Sequence, residues 1–295
     1  RVVELTYPTM VRHLAYTETK ADAEGLVRHG LDDWIPPSRR YVPAVEFTSS
    51  CFFKQANEVA AEFAVVLGKA DESARYAARA AALRRAIRAK YMKPDGTFAN
   101  GGQTAQSAAL MFGLVDPTER EKVAARLVEA VHRRNDHLET GVIGCKTLFR
   151  ALSETGHTDL ALKVVLQKDA PSPAAWMHQG GDNFWEDWGE GASRNHIMFG
   201  DIACWAYEYL AGIRQAPGSR GFRQVLFAPP VGLVLDHVPA SVDTPYGVYS
   251  VSWRKTQDGG LDCRFRVPAG GSAVVRFPDC EDQLLDPGEH CRVFP

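Results

Sequence analysis

No stretch of this 295-residue chain stays apolar for anything near the roughly 20 residues that a bilayer-spanning helix needs. Its first residues, RVVELTYPTM, hold neither an initiator Met nor a signal-peptide core, so the start reads as internal, as if cut from a longer precursor. An excess of one charge is also missing. Lys plus Arg number 34 against 36 for Asp plus Glu, which leaves no global field to recruit nucleic acid or an anionic membrane surface. The expected partner is uncharged. Cysteine is sparse: six residues, at 51, 145, 204, 263, 280 and 291, with no CxxC, argue against a structural zinc site or a dense disulfide framework. The thiols are expected to be reduced, with Cys280 and Cys291 the one pair near enough in sequence for a local bridge. Absent too are a GxSxG elbow, a phosphate loop and HExxH, which disfavours esterase, nucleotide-binding and metalloprotease chemistry; no metal and no cofactor are expected.

What is present is a chain rich enough in apolar residues, at 45%, to build real cores. From Glu46 to Leu67 the residues Phe52, Phe53, Val59, Phe63, Val66 and Leu67 recur at three and four, the spacing of one buried helical face. Asp71 to Met92 turns Tyr76, Ala80, Leu83, Ile87 and Tyr91 inward and Arg75, Arg79, Arg84, Arg85 and Arg88 to solvent. KPDG at 93–96 closes it as a turn. Shorter helices follow over Gln103–Phe112, Pro117–Arg133, Thr140–Thr155, Asp159–Gln167 and Ile197–Leu210, with Pro117 suited to a first turn and Gly156 to a helix stop. That makes about eight helices on short loops, without βαβ alternation or heptads. Beyond the turn-rich RQAPGSRG the pattern shortens and alternates: strands are expected at Gln224–Ala228, Val238–Asp243, Gly247–Arg254, Leu261–Val267 and Ala273–Phe277. The chain therefore divides into an all-helical domain, 1–214, and a small β domain, 222–295.

The densest chemistry lies at 183–201, NFWEDWGEGASRNHIMFGD, where two Trp, four carboxylates, two Asn, an Arg and a His precede an apolar helical stripe. A core segment would avoid the acids, because an unpaired buried charge is costly. A carbohydrate site uses both. Trp offers a flat apolar face to a sugar ring while its N–H still donates, and glycosidic hydrolysis generally uses two carboxyls. Glu186, Asp187 and Glu190 compete for such a role, and spacing alone does not choose among them. His196 starts the stripe His196, Phe199, Gly200, Ala203, Tyr207, Leu210; it is either a hydrogen-bonded core residue or a donor to a sugar hydroxyl, with Ser193 or Asn195 placed to cap the helix. LDDW at 31–34 repeats the acid-plus-Trp theme through Asp33 and Trp34, and Trp176, beside Met177 and His178, is a third such place.

These segments resemble the bacterial α-L-rhamnosidases along essentially the whole chain. GLDDW resembles that family's Gly-Asp-Trp loop, and GTFANGGQTAQSAALMFGL its Q-T-A-x-A-L-A-L segment. HLETGVIGCKTLFRAL is similar to H-L-T-T-G-F-x-G-T-x-x-L-x-x-A-L. GGDNFWEDW followed by NHIMFGDIACWAYEYLAGI resembles G-A-T-T-x-W-E-x-W and N-H-x-x-x-G-x-x-x-x-W-x-Y-x-x-L-A-G-I.

The resemblance implies a mainly α fold with a β domain: part of an (α/α)6 barrel of the six-hairpin glycosidase type, then a C-terminal antiparallel β-sandwich. It implies an inverting glycosidase that removes terminal α-L-rhamnose from an oligosaccharide, polysaccharide or glycoside. Glu186 matches the base that activates water, His196 a sugar-contacting histidine, and Asp33 and Trp34 a loop approaching the rhamnose, while Trp176, Trp185 and Trp188 are expected to wall the pocket. The sequence also departs from the family. Asp182 and Asn183 replace Thr-Thr, and only ten positions separate Glu186 from His196. Nothing matches D-x-P-x-R-x-E-R-x-G-W-x-G-D, the stretch that holds the general acid, and about eight helices stand where the barrel has twelve. The missing N-terminal portion of the same protein is therefore an expected partner. The alternatives are another (α/α)6-barrel glycosidase or polysaccharide lyase, and a carbohydrate-binding remnant without chemistry.

Overall fold

A computed structural model describes residues 1–189 and 191–295. They form two compact units: Arg1–Thr155 with Lys163–Phe199, and Gly156–Leu162 with Gly200–Pro295.

The first unit is helical, with α1 (Val2–Glu18), α2 (Val45–Val66), α3 (Ala70–Tyr91), α4 (Gln103–Met111), α5 (Arg120–His132), α6 (Val142–Glu154) and the short α8 (Pro173–His178). The division between the units runs through α7 (Thr158–Val165). α1 and α8 were not apparent from periodicity: Pro8 interrupts the first, and six residues are too few to display a period in the second. The expected helix over Pro117–Arg133 instead opens as a 3₁₀ turn, Pro117–Glu119, with Asp116 and Glu119 closing a capping box ahead of α5.

α2 packs on α1 and α3, and Tyr7, Leu14, Phe53, Ala60, Ala64, Tyr76 and Leu83 fill the space among them. Its buried face differs from the expected one. Phe52 and Val66 are exposed, whereas Glu46, Ser50, Cys51, Lys54 and Asn57 are buried. The physical reason is that these polar groups have partners. Ser50 accepts from the Val27 N–H at 2.9 Å, Lys54 pairs with Glu58 at 2.7 Å, and Asn57 donates to the Phe53 carbonyl at 2.8 Å. On α3 the expected inward residues Tyr76, Ala80, Leu83 and Ile87 are buried. Four of its arginines are not merely solvated: Arg75 donates to the Tyr76 hydroxyl, Arg79 pairs with Glu18, Arg88 forks onto Glu119 at 2.8 and 2.9 Å and Arg84 donates to the Gly113 carbonyl at 2.8 Å, the last two tying α3 to the loop before α5.

α4 is buried nearly throughout although it reads Gln-Thr-Ala-Gln-Ser-Ala-Ala. Small side chains let it approach α6 closely, and Ser107 and Thr147 share a hydrogen bond of 2.8 Å between them.

The second unit holds α9 (Asp201–Trp205), a π-helical turn (Ala206–Ala211) and eight strands: β1 (Ile213–Gln215), β2 (Gln224–Phe227), β3 (His237–Thr244), β4 (Gly247–Lys255), β5 (Leu261–Val267), β6 (Ser272–Val275), β7 (Gln283–Leu285) and β8 (Gly288–Phe294). They form two four-stranded sheets, ordered β1-β2-β6-β7 and β3-β4-β5-β8. β5 alternates buried and exposed at every position, as a half-buried strand must. Val225, Phe227, Ala273 and Val275 from one sheet and Tyr249, Val251, Trp253, Phe265 and Phe294 from the other share one core, which makes a sandwich. The stripe expected from His196 onward is also corrected: Phe199, Ile202 and Trp205 are buried, while Ala203 and Tyr207 face out, because the segment breaks into a 3₁₀ turn, a short α-helix and a π turn that shift its phase.

No helix among the described residues is long and apolar enough to cross a membrane. The described cysteines form no disulfide; Cys280 and Cys291 are exposed thiols.

Candidate active site

The first turn of α6 is where the predicted site residues begin to meet. A helix start leaves backbone N–H groups without intrahelical partners. Here the 31–35 loop, more than a hundred residues away in sequence, supplies the acceptors. Asp33 takes the Gly141 N–H (2.8 Å) on Oδ2 and the Gly144 N–H (3.0 Å) on Oδ1, and the Thr104 hydroxyl also donates to Oδ2. The Trp34 carbonyl accepts from Val142 at 2.9 Å. The fit requires glycine: a Cβ at Gly141 would stand 2.1 Å from the Trp34 carbonyl oxygen, and one at Gly144 2.2 Å from the Thr104 hydroxyl. Asp33 is 1% exposed. Burial pushes its pKa up, opposed by the bonds from Thr104, Gly144, Gly141 and Ile143. The carboxyl expected to approach a sugar is thus directed at protein donors, whereas Trp34 beside it is 46% exposed.

The residue before Gly141 carries the second connection. The Thr140 carbonyl accepts from Trp188 Nε1 at 3.0 Å. Trp188 stacks on Trp176 of α8 with centroids 4.7 Å apart and planes 10° apart, and it contacts Phe199 at 4.4 Å; Trp185 lies 6.1 Å from Trp176. Gly181 permits this packing, since a Cβ there would meet Trp185 Nε1 at 2.7 Å. The three indoles are only 1 to 6% exposed. Their faces are therefore spent on one another, and the open ring face is that of Trp34. The indole N–H groups of Trp176 and Trp185 have no hydrogen-bond partner among the described residues. The Arg194 guanidinium lies 4.5 Å from the centre of the Trp185 ring.

Glu186 and His196 are joined by a short hairpin. Glu186 N–H donates to the Ser193 carbonyl and His196 N–H to the Phe184 carbonyl, both at 2.8 Å. The Glu186 carboxylate accepts from Ser193 N–H at 3.3 Å, and the group is half-buried. His196, also half-buried, accepts the Met198 N–H on Nδ1 at 3.1 Å. The neutral ring therefore carries its proton on Nε2, where it can donate. This bond takes the capping role expected of Ser193 or Asn195. Of the rival carboxyls, Asp187 accepts from Gly189 N–H at 2.9 Å within its own turn. Glu190 lies outside the described residues.

Three contributors were not anticipated. Gln103 donates to the His137 carbonyl (2.8 Å) and accepts from the Glu139 N–H (2.9 Å), so one side chain spans the loop before α6. Thr104 completes the Asp33 cluster. Glu139 is buried, its carboxylate making no hydrogen bond among the described residues and lying 3.3 Å from Arg134. Burial pushes its pKa up against the pull of Arg134, Arg133 and Arg40. The signal in each case was a polar residue on or before a helix without apolar periodicity.

Comparison with known proteins gives consistent matches. Residues 1–210 match the bacterial alpha-L-rhamnosidase 6 hairpin glycosidase domain and residues 212–291 the corresponding C-terminal domain. An alpha-L-rhamnosidase of Streptomyces avermitilis is 31% identical over 284 residues, covering 92% of this chain and 27% of the relative. One from Alteromonas sp. strain LOR is 28% identical over 294 residues, covering 92% and 32%. The crystal structure of the Streptomyces avermitilis alpha-L-rhamnosidase complexed with L-rhamnose superposes with TM-score 0.91 at 27% identity, over 100% of this chain and 31% of that one. The structure of the Dictyoglomus thermophilum enzyme gives 0.90 at 24% identity, over 99% and 37%. The chain thus spans about a third of the length of these relatives.

Proposed function

Starting from the fact that the chain belongs to the bacterial α-L-rhamnosidases, we propose that it carries the water-activating half of a site that hydrolyses terminal α-L-rhamnosides with inversion. The observation that carries the reading is the hairpin that fixes Glu186 and His196 together against the stacked indoles. In an inverting hydrolysis one carboxylate removes a proton from water on the face opposite the leaving group, while a carboxylic acid roughly 6.5–9.5 Å away protonates the departing oxygen. Glu186 is the base. It takes the proton as the water oxygen bonds to the anomeric carbon and the bond to the leaving oxygen breaks. The general acid lies outside this chain, in a further segment of the same protein. His196 donates from Nε2 to a sugar hydroxyl. Trp34 offers its open face to the ring's C–H side, and Trp176, Trp185 and Trp188 form the dry wall behind Glu186. The L-rhamnose in the related crystal structure supports the sugar class.

Glu186→Gln in the complete protein tests the role, because it keeps shape and removes basicity. General-base loss lowers kcat by about 10²- to 10⁴-fold on an aryl α-L-rhamnoside. Most of the activity surviving would sink the assignment. Proton NMR of the first-formed sugar is expected to show the β-anomer, and retained α configuration would refute inversion.

A further inference from the structure

The buried Asp33 carboxylate and the Glu186 hairpin are connected by an unbroken chain of contacts that the catalytic reading does not use. Asp33 receives Gly141 and Gly144 N–H groups from the first turn of α6, across sequence separations of 108 and 111 residues, and the Thr104 hydroxyl from the start of α4. Its neighbour Trp34 holds the N–H between them, that of Val142. Negative charge and acceptor oxygens are favoured at such a terminus. The 33–34 segment therefore acts as an N-cap supplied from outside the helix. Immediately before Gly141, the Thr140 carbonyl holds Trp188 Nε1 at 3.0 Å, and Trp188 lies two residues after Glu186. With Asp33 1% exposed and each carboxylate oxygen already receiving a protein donor, there is no place on it for a sugar hydroxyl.

We propose that Asp33 is a positioning residue: by clamping the first turn of α6 it sets the height of the Thr140 carbonyl, hence of Trp188, hence of the Glu186 hairpin. The catalytic consequence rests on the function proposed above, but the clamp itself does not. An Asn at this position keeps the shape yet turns an NH2 group toward one set of backbone N–H donors, so it loosens the cap without emptying the site.

The test is read on the complete protein with 15N-labelled tryptophan. In Asp33→Asn the Trp188 indole N–H signal is expected to move, and its hydrogen exchange to speed up by at least tenfold. The indole signal of Trp253, bonded to the Leu210 carbonyl at 2.8 Å, stays in place and reports that the sandwich unit is intact, while an unchanged far-ultraviolet helical circular-dichroism signal reports the same of the helical unit. In the complete enzyme the same variant is expected to lose about 10- to 100-fold in kcat, as small misplacements of catalytic groups do, with KM within about twofold. Added to a Trp188→Phe background, it is expected to cost little more. An unmoved Trp188 signal in a folded Asp33→Asn protein overturns the proposal, as does a rise in KM with kcat unchanged, which would make Asp33 a sugar contact. Should Asp33→Asn fail to fold, Thr104→Val removes a single donor. A smaller shift of the Trp188 signal then supports the clamp, and none overturns it. Activity surviving in Glu186→Gln would refute the catalytic assignment while leaving the indole readout valid.

Discussion

Three buried carboxyls show how differently this chain treats the same group. Glu46, at the start of α2, is ringed by Arg28, Lys90 and the Tyr91 hydroxyl, the last at 2.7 Å. Although its burial raises the pKa, the bonds from Lys90, Arg28 and Tyr91 outweigh it and bring the value from 4.5 to about 2. Asp33 and Glu139 go the other way, because desolvation outweighs their donors or nearby cations. A depressed folded pKa stabilises the native state above the unfolded value and is lost as pH falls through the folded one, here between about 4.5 and 2. At about 1.4 kcal/mol per unit, this gives Glu46 a contribution on the order of 3 kcal/mol at neutral pH. Glu46→Gln is therefore expected to lower stability to urea at pH 7 by a similar amount and to flatten the loss of stability below pH 4.5; an unchanged acid limb would refute this. None of these environments was legible locally. WEDW and NH drew notice through residue type and family position, and the hairpin does join them. Asp33 drew notice for its neighbour Trp34, but its partners come from two other helix starts that no spacing reveals.

Among the elements, α6 is the most constrained. Its N-terminal glycines admit the 33–34 backbone and Thr104, with clearances that a Cβ would reduce to 2.1 and 2.2 Å. Gly141→Ala is expected to cost several kcal/mol or to prevent folding, since backbone would have to move. Gly189→Ala, whose Cβ would meet Asp187 at an ordinary 3.8 Å, is expected to stay within about 0.5 kcal/mol. Thermal melts of the pair check the contrast, and equal shifts would contradict it. Helices with a clear apolar period, such as α3, were legible almost to the residue. α2 was legible as a helix but not in its buried face, since the pattern marks apolar residues while Ser50, Lys54 and Asn57, each with a hydrogen-bond partner, go inside. β1 and β7, of three residues each, are too short to show alternation, and β8, Gly-Glu-His-Cys-Arg-Val-Phe, is too polar, its one fully buried residue being Phe294.

For the molecule as a whole, the order of helices then strands was readable because composition changes after Gly212. The sheet order was not, since β2 pairs in parallel with the distant β6. The thiols offer a whole-chain check. Cys204, Cys280 and Cys291 are exposed and Cys51, Cys145 and Cys263 buried; burial also pushes Cys51 far up and Cys263 up to about 12. A thiol reagent is expected to titrate three groups in the native protein and six after denaturation, and fewer than six in unreduced, unfolded protein would reveal a bridge. The Trp176–Trp188 stack has an optical consequence as well. Indoles with centroids 4.7 Å apart and planes within 10° of parallel couple through their transition dipoles, and an in-plane twist between the two rings gives the coupled bands a rotational strength that neither ring has alone. The protein thus carries an exciton reporter two residues from Glu186, and the sign and size of that circular-dichroism couplet would register, without any label, whether a sugar or a neighbouring polypeptide segment changes the angle between the two rings.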